Sequence, residues 1–138
     1  MKIAILSFLS AVVAFATFTW WALESSGVAV LETRAADGSL RSTHVWFAEH
    51  NGELWLEAGT PENSWYIDIQ QDPLVSLSAP RRSGQYVARQ IQYPGAHDEI
   101  RSIFQEKYGV RDWWVGLLFD TSRSIAVQLA PLSGRSHE

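Results

Sequence analysis

The chain has no cysteine and only two lysines among its 138 residues. The missing thiols exclude a disulfide framework, Cys-ligated zinc, an iron–sulfur cluster, a thiol nucleophile and a lipid-modified N-terminal Cys. Positive charge is scarce too: 11 Lys+Arg stand against 15 Asp+Glu, for a net charge of −4. Duplex DNA and RNA are held by clustered cations that neutralise phosphates, so nucleic acid is disfavoured as a partner. No histidine or carboxylate set has metal-ligand spacing, and no Gly-x-Ser-x-Gly or comparable nucleophile signature occurs. Internal repeats and low-complexity segments are also missing. The length is that of one domain.

One long apolar run is present. Ile3 to Leu23 (IAILSFLSAVVAFATFTWWAL) carries no charge in 21 positions. As a helix it covers roughly 30 Å, the thickness of a bilayer's hydrocarbon core, with Trp20 and Trp21 at the exit interface. The expectation for residues 1–24 is a single transmembrane anchor. The rival reading is a cleaved signal peptide, since Lys2 makes a minimal basic start and Ala14-Phe15-Ala16 has the small-x-small form of a cleavage site. Lys2 and the α-amino group lie before the run and Glu24 just after it, which favours a membrane location with the domain outside the cytoplasm.

Residues 25–132 read differently, as short β-type stretches divided by turn signals. Val28 to Arg34, Arg41 to Glu49 and Glu53 to Ala58 are strands joined by Asp37-Gly38 and Asn51-Gly52, which makes a three-stranded meander. Pro61 to Gln71 reads as a short helix with proline near its start, followed by strands near Leu74 to Ala79 and Gln85 to Tyr93. Between Ala96 and Tyr108, Ile100, Ile103, Phe104 and Tyr108 fall at helical spacing, with Asp98 and Glu99 in the first turn, Lys107 in the last and Gly109 beyond. Arg111 to Phe119 reads as a short aromatic-rich helix or turn, and Ser124 to Leu129 as the last strand. Residues 133–138 form a frayed tail. The fold class is mainly β with short helices: about six antiparallel strands, compatible with a small barrel that hides its edges by closing. The pattern alone does not choose barrel over sandwich.

Several residues are candidates for chemistry. Backbone amides at Gly59 and Thr60, before the helix near Pro61, can cradle a phosphate with the Ser64 hydroxyl, and Arg41 with Thr43 beside it can supply counter-charge. An ordinary strand-to-helix loop with a capping serine accounts for the same residues. Trp65 and Tyr66 can wall a flat ring or fill core. Trp113 and Trp114 point about 100° apart on a helix, so both can hardly be buried. His44 faces the same side of its strand as Trp46 and can donate to a ligand carbonyl or serve the structure. In Asp120-Thr121-Ser122-Arg123-Ser124, Arg123 suits an anion or an ion pair with Asp120 or Asp112. Arg81-Arg82 is most simply a solvated turn, and beside an anchored domain it can also touch anionic lipid.

The stretch Gly59-Thr60-Pro61-Glu62-Asn63-Ser64-Trp65-Tyr66-Ile67-Asp68-Ile69-Gln70-Gln71-Asp72-Pro73, with Arg41, Ser42, Thr43, Trp46 and Phe47 upstream, resembles the deazaflavin-dependent nitroreductase and quinone reductase family. The likeness runs from Val28 to Pro131. It implies the split β-barrel of the pyridoxamine-phosphate-oxidase-like flavoproteins and a cofactor site at Arg41, Thr43, His44, Gly59, Thr60, Ser64, Trp65 and Tyr66. It also implies hydride transfer from a reduced flavin or deazaflavin to a quinone or nitro compound. With the anchor, this makes a membrane-bound oxidoreductase that meets lipid through its N-terminal helix. Flavin-binding split barrels are often homodimers. The first hairpin departs from the family: Ala35-Ala36-Asp37-Gly38-Ser39 lacks the basic turn usual in members that use the deazaflavin coenzyme F420. The cofactor therefore stays open between F420, FMN and none, the last making the domain a non-enzymatic ligand-binding or interaction module.

Overall fold

The computed structural model describes residues 2–24, 27–80 and 82–132. In chain order the elements are α1 (Lys2–Glu24), β1 (Val28–Arg34), β2 (Leu40–His50), β3 (Glu53–Ala58), α2 (Ser64–Gln71), β4 (Leu74–Ala79), β5 (Arg82–Gln90), α3 (Ala96–Tyr108), α4 (Val110–Leu118) and β6 (Ile125–Pro131). The strands close into one antiparallel barrel in the order β1-β2-β3-β6-β5-β4. Closure leaves no sheet edge open.

The two turns of the meander form as their dipeptides require. Asn51 and Gly52 both have positive φ, +53° and +80°, as a two-residue hairpin needs to match the strand twist. In the first hairpin the Asp37 carboxylate accepts the Ser39 amide at 2.9 Å and hydroxyl at 2.6 Å.

Side-chain alternation sorts the strands into two faces. Inward, Leu31, Val45, Phe47, Leu56, Leu77 and Val127 form the barrel core, and α2 closes one end by adding Trp65, Tyr66 and Ile69. Outward, Ala48, Trp55 and Ala126 receive Ile100, Ile103, Phe104 and Tyr108 of α3, with Trp46 and Ile91 at the margin. The helical stripe read from α3 is thus the stripe that it buries. Gly109 ends the helix at positive φ, and its amide donates to the Gln105 carbonyl at 2.8 Å.

The structure moves some expected boundaries. The second helix begins at Ser64 rather than Pro61, because Thr60 to Asn63 forms a turn (Asn63 N to Thr60 O, 3.2 Å) and Asn63 O accepts the first helical bonds from Tyr66 and Ile67. The fifth strand runs Arg82–Gln90 rather than Gln85–Tyr93, since Ser83, Gly84 and Gln85 pair with Ser78, Leu77 and Ser76 across a short connection. Ile91 has left the ladder, though its amide still reaches Ala126 O at 2.9 Å. Arg123 pairs with Glu62, not with Asp120 or Asp112; Asp120 accepts the Ser122 amide instead, at 2.9 Å. Arg82 is bound to Glu49 rather than simply solvated. Arg81 and the tail expected to fray lie outside the described residues.

The structure gives the expected transmembrane helix no support. The apolar run does form a helix, α1, with Phe15 and Phe18 against Trp114 of α4 at ring-centroid distances of 5.4 and 4.9 Å. Among the described residues, however, no helix is long and apolar enough to cross a membrane.

Candidate functional site

The outward face of β2 presents His44 and Trp46 beside the end of β3, and α3 and α4 roof over that corner. Between them lies a cleft of about 470 Å³. His44 and Trp46 form one wall, Glu57 of β3 and Arg101 of α3 another, and the Gly59–Asn63 turn with Trp65 of α2 closes the end. Val115 and Phe119 cover it, followed by Asp120 and Thr121.

Trp46 is fixed from behind. Its ring stacks on Tyr108 at 4.3 Å and 15°. Tyr108 is buried, and its hydroxyl accepts the Phe47 amide at 3.1 Å while its proton is shared between the carbonyls of Gly27 (2.6 Å) and Phe47 (2.8 Å). Burial drives the Tyr108 pKa well up, against the opposing hydrogen bond to Phe47 and the charge of Arg111. Next to it, Lys107 Nζ donates to the Phe47 carbonyl and sits 3.6 Å over the Phe47 ring. Burial, then the nearby Arg111 charge, lowers the Lys107 pKa to about 8.

The polar wall is an ion network. Arg101 Nη1 donates to both carboxylate oxygens of Glu57, at 2.9 and 2.8 Å, and Nη2 donates to Asp112 Oδ2 at 2.6 Å. The side chains of Arg101, Glu57 and Asp112 are 20%, 9% and 5% exposed. Burial pushes the Asp112 carboxyl above its usual range despite the opposing guanidinium, and its Oδ1 has no hydrogen-bond partner. For Arg101, burial opposes the charge, yet the bonds and charge of Glu57 prevail and raise its pKa. His97 Nε2 lies 2.9 Å from the Thr121 carbonyl; that bond raises the His97 pKa first, with burial opposing and Asp98 and Glu57 adding to the rise.

Of the residues expected at a cofactor site, His44, Gly59, Thr60 and Trp65 meet in this cleft. Arg41 and Thr43 share the inward parity of Val45, and Arg41 Nε binds Asp68 Oδ2 at 2.8 Å, an oxygen that also accepts the Thr33 hydroxyl at 2.7 Å. Arg41 thereby ties β2 to α2 and β1. Ser64 is the first residue of α2 and exposed, with Asn63 rather than a serine in the cap position. Tyr66 is buried in the barrel core, edge-on to Trp65 at 6.3 Å, and burial raises its pKa. Glu62 lies in the turn before α2; Arg123, then the Thr60 hydroxyl, bonds its carboxylate and holds its pKa down. Sequence reasoning missed Glu57, Arg101, Val115 and Phe119. The only signal was Arg101 adjoining the apolar stripe of α3, where a charge is either solvated or paired.

The F420H(2)-dependent quinone reductase family matches residues 17–129 of the chain. No curated protein matches it. Many solved structures share the fold, three of them as follows. A conserved hypothetical protein from Mycobacterium tuberculosis superposes with TM-score 0.61 and 21% identity over 85% of this chain and 79% of its own. A pyridoxamine 5'-phosphate oxidase assigned from Listeria innocua gives 0.59 and 16% over 81% and 89%. A protein described as an F420 reductase gives 0.53 and 19% over 80% and 90%. With a barrel of this topology and a family match across most of its length, the chain belongs to the F420H(2)-dependent quinone reductase family.

Proposed function

We propose that the cleft between β2, β3, α3 and α4 holds the reactive ring of coenzyme F420 and admits a quinone or a nitro compound to it. The carrying observation is that His44 and Trp46 of β2 and Gly59, Thr60 and Trp65 of the β3–α2 segment line one cleft. Its size lies within the roughly 300–1,000 Å³ of small-molecule sites. The donor set suits a flat heterocycle. Trp46 and Trp65 offer aromatic surface, Val115 and Phe119 apolar cover, and His44, Thr60, Asn63 and Thr121 hydrogen bonds to ring carbonyls and nitrogens.

The bound coenzyme supplies the hydride, and the protein binds, orients and excludes water. An anionic tail is served less well: Arg101 is bound by two carboxylates and Arg123 by Glu62. At the rim, such a tail competes with Glu62 for Arg123 and the Thr60 hydroxyl. This pairing of the nearby cations favours a second reading, a binding module without a cofactor.

Titration of the full chain with F420 and with FMN, followed by tryptophan quenching, separates the two. Saturable F420 binding weakened about tenfold by His44→Ala, the loss of one hydrogen bond, supports the oxidoreductase. Binding of neither cofactor supports the module, and FMN alone would replace the deazaflavin.

Membrane association is the second part of the proposal. Its support is the uncharged run Ile3 to Leu23 and the exposed apolar side chains of α1, such as Leu6 (71%) and Phe8 (69%). The contact of α1 with α4 sets the cleft near that helix, where lipophilic quinones would be within reach. Co-flotation of the full-length chain with lipid vesicles is expected; a full-length chain that stays apart from the vesicles overturns it. A homodimer, the assembly common among flavin-binding split barrels, is read by sedimentation of the detergent-extracted chain.

A further inference from the structure

We infer that Arg101 is the hydrogen-bond donor to the acceptor's carbonyl oxygen, and that its two carboxylate partners restrict the cleft to uncharged acceptors. This rests on the reading of the cleft as a quinone-reducing site.

A guanidinium carries five N–H groups. The bonds to Glu57 and Asp112 use at most three of them, so at least two remain on a side chain that forms part of the cleft wall. Those bonds also remove the usual flexibility of a long cation, because Glu57 grips Nη1 from β3 and Asp112 grips Nη2 from α4. The remaining N–H groups are therefore held in place before any ligand arrives, the condition under which a donor stabilises developing charge most effectively.

The sign of the local field follows from the same residues. Two nearly buried carboxylates face one guanidinium, leaving negative charge in excess beside the cleft, and Asp120 at its rim adds to it. A sulfonated or carboxylated acceptor is repelled there, with little solvent to screen it. An uncharged carbonyl pays no such penalty and gains a charge-assisted hydrogen bond. The family's reaction takes a hydride and a proton from the reduced coenzyme. A quinone that gains both leaves as the hydroquinone, and the coenzyme is left oxidised by two electrons. As the hydride arrives, negative charge builds on the quinone oxygen that faces Arg101 until the proton neutralises it, so the donor acts more strongly on the transition state than on the bound quinone.

The test uses the full-length chain, an uncharged naphthoquinone and its sulfonate. With reduced F420, the wild type is expected to favour the uncharged quinone in kcat/KM. Arg101→Lys, which keeps the charge but loses the planar fork, is expected to lower kcat on it about 10- to 100-fold, the worth of one hydrogen bond to a charged group. Asp112→Asn removes one negative charge at constant shape and is expected to shift the ratio towards the sulfonate about tenfold. Quinone binding to the coenzyme-free chain, read by tryptophan quenching, gives a second readout: Arg101→Lys should weaken the uncharged quinone, and Asp112→Asn should strengthen the sulfonate. Unchanged kcat in Arg101→Lys, or an unchanged quinone ratio in Asp112→Asn, overturns the inference. If the wild type leaves reduced F420 unoxidised with both quinones, the reading of the site fails, and the coenzyme-free binding arm still decides the role of Arg101. If Arg101→Lys does not fold, the Asp112→Asn ratio decides alone.

Discussion

Replacing Arg101 by methionine isolates the energetics of the polar wall. The substitution keeps most of the aliphatic stem and leaves the Glu57 and Asp112 carboxylates, 9% and 5% exposed, facing each other without a counter-ion. Removing one partner of a buried ion pair costs about 3–5 kcal/mol, because the remaining charge is uncompensated. Arg101 itself is one-fifth exposed, so water reaches the site and the lower end of that range applies. For a chain of 138 residues, each kcal/mol moves Tm by roughly 3–5 °C, so a fall of about 10 °C or more is expected. Urea denaturation at neutral pH reads the same change as a lower midpoint at unchanged slope. The loss has a pH signature. Burial already raises the Asp112 pKa, and losing the guanidinium raises it further. A raised folded pKa means that the folded state binds the proton more tightly than the unfolded state, so stability falls as pH rises through the window between the two values. The penalty of Arg101→Met therefore shrinks as the pH is lowered and Asp112 protonates. Combining it with Glu57→Gln and Asp112→Asn removes all three charges and should recover most of the loss. A penalty below about 1 kcal/mol at neutral pH, or a triple variant less stable than the single one, would refute the account of this network.

Two further outcomes follow from the support behind Trp46. Tyr108→Phe keeps the stacked ring but takes the hydroxyl from the buried Phe47 amide and the Gly27 carbonyl and leaves the Phe47 carbonyl to Lys107, so thermal denaturation should show a loss of about 1–3 kcal/mol. Lys107 has its pKa lowered from 10.5 to about 8, so the folded chain holds this proton less tightly than the unfolded chain does. Its destabilising effect is fully present below about pH 8 and is relieved as pH rises to about 10.5. The stability difference between wild type and Lys107→Met should therefore shift in favour of the wild type across that window; a pH-independent difference would contradict the burial of the ammonium.

The parts of the fold that were legible in the sequence are those encoded locally. Asp37-Gly38 and Asn51-Gly52 fix positive-φ turns, and the strands around them follow. The apolar spacing of α3 set its face and both ends. Trp113 and Trp114 divide as adjacent helical residues must: Trp113 is 60% exposed and Trp114 lies half-buried against α1. Boundaries failed where a polar stretch is held by pairing rather than propensity, as at Arg82 to Gly84. At the site, the parity of β2 joins His44 to Trp46, and the same parity sends Arg41 to the other face, where Asp68 takes it. That partner lies 27 positions away, and Glu57 lies 44 from Arg101. Nothing in the local pattern marks such pairings, because closure of the barrel and the docking of α3 and α4 create them.

The account's central claim is that the cleft carries out deazaflavin-dependent reduction. It is tested most directly by mixing the full-length protein anaerobically with reduced F420 and an uncharged quinone, and following the return of oxidised-coenzyme absorbance. The account predicts enzyme-dependent oxidation of one equivalent of reduced coenzyme per quinone, slowed by His44→Ala and by Arg101→Lys. A rate no greater than the protein-free reaction, from a chain shown to be folded, would contradict it.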